Sequence, residues 1–310
     1  MGDSNVESAH MHGGPELVPL PSHEATVGGG MQVRRALPTE LRRRVGAWCF
    51  LDHYGPVTLD SSGAGMRVGP HPHIGLQTVS WLYAGEVLHR DSLGSLQLIR
   101  PGQLNLMTAG RGIAHSEETP ASHSAQLHGL QFWIALPDPA RHGEPSFDHH
   151  PHLPLIRQEG LALTLIIGAA FGDRSPARIH SPLIGCDILC VDTGQRRLPL
   201  TPGFEHALLV IQGTLSVEDT AMRPGPLYYL GAGRDHIMLA NDAPAQAFLL
   251  GGARMDEEVL LWWNFVARSN EEMAAARADW EAGSSRFGEV KGYNGARLTA
   301  PPLGGHLKAY

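Results

Sequence analysis

"HPHIGLQTVSWLYAGEVLHRDSLGSLQLIRPGQLNLMTAGRGIAHSE", residues 71–117, alternates short apolar runs with turn residues, beginning on His-x-His and ending on His-x-Glu. The runs "LQTVSWLY" (76–83), "EVLHRDS" (86–92), "LQLIR" (96–100) and "QLNLMTA" (103–109) are short and rich in apolar residues. Turn chemistry separates them at Ser92-Leu93-Gly94 and Pro101-Gly102, and "LHGLQFWIAL" (127–136) adds another run. Strands at this close spacing predict a sandwich or barrel. Two pairs of potential ligands lie at the ends of the stretch. Side chains at i and i+2 of a strand share a face, so His71 and His73 point one way, as do His115 and Glu117. If the barrel sets those strands side by side, three imidazoles and one carboxylate converge inside it. With a divalent ion they leave a net charge of about +1 and one or two open positions. That donor set suits Fe(II), Mn, Co, Ni, Cu or Zn, and it fits binding of an exogenous ligand or O2. A lone His-x-His is usually a polar turn, with Glu117 then a local cap. Two pairs in phase tip the reading toward a metal.

Working outward, the chain reads as a repeat. "WLYAGEV" followed by "RPGQLNLMTAG" is matched by "LVIQGTL" followed by "RPGPLYYLGAG". Gly85 corresponds to Gly213, Pro101-Gly102 to Pro224-Gly225, and Gly110 to Gly233. Two tandem β-barrels, an all-β fold, are the economical explanation. In the repeat register Pro199, Thr201, Met238 and Ala240 take the four ligand positions, so the second barrel is expected to be metal-free. Residues 1–30 read as a flexible lead-in, 31–137 as the metal-binding domain and 138–155 as a linker. Residues 156–310 read as the second barrel. The segment "LPDPARHGEPSFDHHPHLP" (136–154) carries five prolines, and its histidines read as a solvated loop. "SNEEMAAARADWEAG" (269–283) predicts a short helix over 270–283, capped by Ser269 or Asn270 and stopped by Gly283.

Composition excludes several classes of function. Net charge is −7, and the basic run Arg42-Arg43-Arg44 stands alone, so phosphate-led nucleic-acid binding has no footprint. "MGDSNVES" has no secretory signal pattern, and "LALTLIIGAAFG" (161–172) is too short to span a bilayer. Cys49, Cys186 and Cys190 read as buried, reduced thiols, which points to a cytoplasmic protein. His89 and Asp91 share a strand face near a hairpin and read as turn-supporting or pocket-rim residues. Trp262-Trp263 reads as inter-domain core, and Trp81 and Trp133 as core or cavity wall.

The long run "HRDSLG…PG…MTAGRGIAHSE" resembles the signature of the pirin family, bicupins of the cupin superfamily. The resemblance extends through "MQVRRALP", "FLDHYGP" and "DEEVLLWWNFVARSNEEMAAARADW", and Gly65 and His71 meet the general cupin spacing Gly-x5-His-x-His. It implies two tandem cupin barrels and one buried iron(II) held by His71, His73, His115 and Glu117. Some pirins are described as quercetin 2,3-dioxygenases that use O2. Others are described as transcriptional or metabolic co-regulators that bind protein partners. The resemblance therefore implies a flavonol dioxygenase; the alternative is a metal- or redox-dependent regulatory protein without turnover. A third option is a non-redox isomerase or hydrolase using the metal as a Lewis acid. One departure bears on catalysis. Position 77 is Gln where cupins and most pirins carry Glu, and Ile74 and Leu76 replace the usual Arg and Phe. Gln cannot take the proton of a flavonol 3-hydroxyl, which leaves Glu117 as the candidate base and Gln77 as a hydrogen-bonding support for a ligand histidine.

Overall fold

The strand pattern of 76–135 closes into a barrel of two facing sheets. A computed structural model describes residues 14–59 and 65–309. Its first twelve strands are β1 (Pro15–Leu20), β2 (His23–Val27), β3 (Met31–Leu37), β4 (Trp48–Thr58), β5 (Arg67–His73), β6 (Leu76–Ala84), β7 (Val87–Asp91), β8 (Leu96–Ile99), β9 (Leu104–Thr108), β10 (Ile113–Glu118), β11 (Gln126–Ala135) and β12 (Ser146–His150). The larger sheet of the first barrel runs β12-β9-β6-β11-β4-β3-β2, and the smaller runs β5-β10-β7-β8. The second barrel repeats both orders. Its larger sheet runs from β1 through Leu227–Gly231, Phe204–Gln212, Ala245–Ala253, Leu183–Cys190 and Leu161–Ala170 to Leu155–Gln158. The strands that mirror β5 and β10, Gly194–Pro199 and His236–Asn241, are likewise paired antiparallel, with Pro199 opposite His236.

Two segments depart from the sequence expectation. Residues 15–27 are strands rather than a featureless lead-in, and residues 1–13 lie outside the described residues. β1 crosses to the second barrel and pairs with Leu227–Gly231, where Leu20 is buried. The expected linker also contains β12, which pairs with β9 and closes the first barrel's larger sheet. Main-chain pairing thus directs the histidines of "FDHH": His149 Nδ1 lies 2.8 Å from Asn105 Oδ1. Neither segment has the strong apolar alternation that marks strands in sequence, because both are edge strands with one side of the ladder open.

The two larger sheets pack against each other, and their shared core holds Val79, Phe132, Leu209, Phe248 and Leu250. Phe132 and Phe248 meet at 4.6 Å between ring centroids. Polar groups bridge the same boundary: Trp48 Nε1 donates to Gly251 O at 3.0 Å, and Tyr83 Oη to Asp187 Oδ1 at 2.8 Å.

After Ala253 the chain returns to the first barrel. A hairpin of Leu260–Trp262 and Phe265–Ala267 precedes helix α1 (Asn270–Glu281). The Ser269 side chain accepts from Glu272 N, and Gly283, at φ 67°, follows the helix end. Met273, Ala276 and Trp280 of α1 pack with Ile74, Ala114 and Phe287, against the backs of β5 and β10. So the helix follows the second barrel in sequence yet braces the strands carrying His71, His73 and His115. The hairpin seats on Gly75, where a Cβ would meet Val266 O at 2.1 Å.

Candidate metal centre

β5 and β10 are antiparallel neighbours, with His115 opposite His71 and Ile113 opposite His73. All three imidazoles turn into the barrel. Their ligand nitrogens lie within 4.8 Å of one another, and His73 Nε2 is 3.0 Å from His115 Nε2. Burial pushes the His71 pKa down to about 4 and drives those of His73 and His115 well below the usual histidine value. Each ring is therefore neutral at physiological pH and offers a lone pair, as metal ligation requires. The far nitrogens are oriented by outer partners: His71 Nδ1 lies 2.9 Å from Gly69 O, and His73 Nδ1 2.9 Å from Asn264 O. A carbonyl can only accept, so both rings carry their proton on Nδ1 and turn a bare Nε2 inward. Two bare nitrogens and the Nε2 of His115, 3.0 Å from that of His73, converge on a place that fits a divalent ion.

Glu117 faces the same interior, but a bulge between His115 and Glu117 shifts it against β5, opposite Val68. Its carboxylate groups within 4.8 Å of His115 and His89, not with His71 and His73. Ser80 Oγ lies 3.3 Å from Glu117 Oε1 and 2.9 Å from Gln131 Oε1. Burial raises the Glu117 pKa, against the pull of His89 and Ser80. His89 is fully interior: it faces Glu117 across the β7–β10 ladder and stacks on Phe147 at 4.2 Å. Asp91 holds His89 Nε2 at 3.0 Å through Oδ2, while Oδ1 accepts from the backbone N–H groups of Leu93 and Ser95. Asp91 therefore supports its turn, as expected, and His89 stands behind the ligands rather than on the rim.

The histidines open onto a cavity of about 1280 Å³. Phe50 and Trp133 stack at 3.9 Å along one wall, and Trp133 meets His73 in a T-shaped contact with 5.2 Å between ring centroids. Arg35 lies 4.5 Å over Phe50 and holds Asp52 through two bonds of 2.8 Å. Trp262 and Trp263, expected as inter-domain core, instead line the cavity from the returning hairpin. Asn264, Ser80, Gln131 and Phe147 escaped the sequence reading. Asn264, Gln131 and Phe147 come from other segments of the chain and Ser80 from the strand after His73, and none belongs to a recognisable ligand spacing.

The pirin family model matches residues 30–134, and that of the pirin C-terminal cupin domain matches 185–288. A Pseudomonas aeruginosa protein provisionally named quercetin 2,3-dioxygenase is 50% identical over 279 residues, covering 90% of this chain and 88% of its own. The chain belongs to the pirin family. A pirin-like protein of Caulobacter vibrioides is 35% identical, over 84% of this pirin and 92% of its own length. The crystal structure of a quercetin 2,3-dioxygenase from Acinetobacter baumannii is 42% identical with a TM-score of 0.92. It covers 94% of this pirin and 97% of its own chain.

Within this pirin, Gln77 is not where its expected role requires. Along β6, Ser80 faces the barrel interior opposite Gln131, so Gln77, at odd spacing, faces the second barrel. Its Nε2 donates to Thr108 Oγ1 at 2.8 Å and to Arg178 O at 3.0 Å, and it supports no ligand histidine. Gln77 is accordingly not among the residues that line the cavity. Of the other departures, Ile74 is buried under α1 beside Trp280 and Phe287, and Leu76 lies in the main core. No helix among the described residues is long and apolar enough to cross a membrane.

Proposed function

We propose that this pirin is a cytoplasmic, metal-dependent dioxygenase that opens a flavonol, with quercetin as the model substrate and O2 as co-substrate. The observation that carries the proposal is the convergence of three neutral imidazoles at the end of an aromatic-walled cavity. His71, His73 and His115 would hold one divalent ion, iron(II) first, with Glu117 as a fourth ligand once its carboxylate turns toward them. Such an ion supplies Lewis acidity toward an enolate oxygen and the one-electron steps that let O2 react with a closed-shell ring.

The chain's own residues do the rest. Phe50 and Trp133 line the wall along which a planar ring system would lie, with Trp262 and Trp263 on the hairpin side. Glu117 accepts the 3-hydroxyl proton on Oε2, the oxygen that Ser80 does not engage. Its burial, by raising its pKa, makes it a stronger base than an exposed carboxylate. The test is O2 uptake by protein loaded anaerobically with Fe(II), with and without quercetin, beside a buffer-plus-Fe(II) control. Flavonol-dependent uptake above the control, absent in His71→Ala, is the expected result. Uptake equal to the control at full metal loading would instead favour the regulatory binding role.

A further inference from the structure

We infer that His89, held by Asp91, is a positioning residue that sets the tautomer and orientation of His115. The inference rests on the reading that His71, His73 and His115 hold the metal. Two of those rings have a carbonyl behind them, Gly69 O for His71 and Asn264 O for His73. Behind His115 the partner is a ring nitrogen: His115 Nδ1 lies 3.4 Å from His89 Nδ1. An imidazole nitrogen can either donate or accept, so His89 orients His115 only if its own proton is placed.

Asp91 places it. Its Oδ2 lies 3.0 Å from His89 Nε2, and an ionised carboxylate can only accept, so the His89 proton belongs on Nε2. His89 Nδ1 is then bare and accepts from His115 Nδ1–H, which leaves His115 Nε2 bare and facing His73 Nε2 at 3.0 Å. Asp91 cannot turn away, because Leu93 N and Ser95 N donate to its Oδ1 at 2.9 and 3.0 Å. Nor can His89 swing freely, since Phe147 lies parallel to it, at 4.2 Å and 12°. This assignment satisfies the contacts behind His115, since Asp91 accepts from His89 and His89 accepts from His115, and it leaves the 3.0 Å approach of His115 Nε2 to His73 Nε2 without a proton, where a cation would sit. The carboxylate at the end of the chain raises the basicity of His115 as a ligand, which neither backbone carbonyl does as strongly for its partner.

Cobalt(II) is the probe, because its visible spectrum reports ligand geometry and its affinity follows from chelator competition. His89→Phe keeps a flat ring to stack on Phe147 and removes both nitrogens. Asp91→Asn keeps Oδ1 for Leu93 N and Ser95 N but presents an amide N–H to His89 Nε2, which moves the His89 proton to Nδ1, against His115. We expect one Co(II) per wild-type chain, and affinity weaker by roughly 10–100-fold in both variants. The bands of cobalt still bound to Asp91→Asn should be displaced, a change that mere loss of packing would not cause. Should His89→Phe fail to fold, Asp91→Asn carries the test alone. Affinity within about twofold of wild type, with an unchanged spectrum, would overturn the inference while leaving the metal site intact. A second Co(II) per chain, lost in His89→Phe, would also overturn it, making His89 a ligand. Wild-type protein that takes up no Co(II), or a His71→Ala variant that binds it as tightly as wild type, would remove the parent reading and this one together.

Discussion

Replacing Asp187 with asparagine isolates one carboxyl at the boundary between the barrels. Asp187 is buried, accepts from Tyr83 Oη and Gln246 Nε2 at 2.8 Å each, and has no cationic partner among these contacts. Burial raises its pKa from 3.8 to about 6, against the pull of the two hydrogen bonds. The folded chain therefore binds a proton more tightly here than the unfolded chain does. The contribution to stability is fully present below pH 3.8 and is lost as pH rises through about 6. The loss is worth about 3 kcal/mol, at roughly 1.4 kcal/mol for each pH unit between the two values. Asparagine keeps an acceptor for Tyr83, and the Gln246 amide can turn to accept from the new N–H group, so packing changes little. Urea unfolding of both proteins from pH 4 to 7.5 provides the assay, because other titrating groups cancel in the difference. The variant should match wild type near pH 4 and exceed it by up to about 3 kcal/mol at pH 7.5. A difference that does not vary with pH, or a variant less stable at pH 7.5, would refute the reasoning.

Three further outcomes are expected. Alanine at His71, His73 or His115 should lower bound metal to below roughly a tenth of the wild-type content, by elemental analysis of untagged protein. Gln77→Glu should leave metal content unchanged but cost about 1–3 kcal/mol in urea unfolding, because its carboxylate would face the carbonyl of Arg178 at a buried boundary. Loss of metal in that variant would instead place Gln77 at the ligands. Trp263 has a φ of 52°, so Trp263→Gly relieves its backbone while removing a cavity wall. In the O2-uptake assay its KM for quercetin should rise roughly tenfold with kcat held within about twofold, the mark of lost ground-state binding.

The parts of the fold visible in the sequence are those whose pattern is local. Strands β6, β7, β8, β9 and β11 lie within a residue or two of the runs read from 76–136, since turn residues bound each of them. The repeat announced the second barrel because its Pro-Gly turn and the glycine that follows recur at the same spacing, Gly102 to Gly110 and Gly225 to Gly233. β1 and β12 were missed, being edge strands whose partners lie in remote or polar segments. The facing of Gln77 could not be read from β6, because every residue from Leu76 to Leu82 is buried. One face of that strand fills the first barrel and the other meets the second, so apolar alternation carries no sign of inside and outside.

The all-β repeat and the His-x-His and His-x-Glu pairs follow from local strand periodicity, which sets which neighbouring side chains share a face. Tertiary packing sets what surrounds those pairs. It brought Asn264 of the returning hairpin to His73, Phe147 of β12 to His89, and Ser80 of the facing sheet to Glu117. Those contacts join residues far apart in the chain, and their geometry follows from how the two sheets and the C-terminal segment pack.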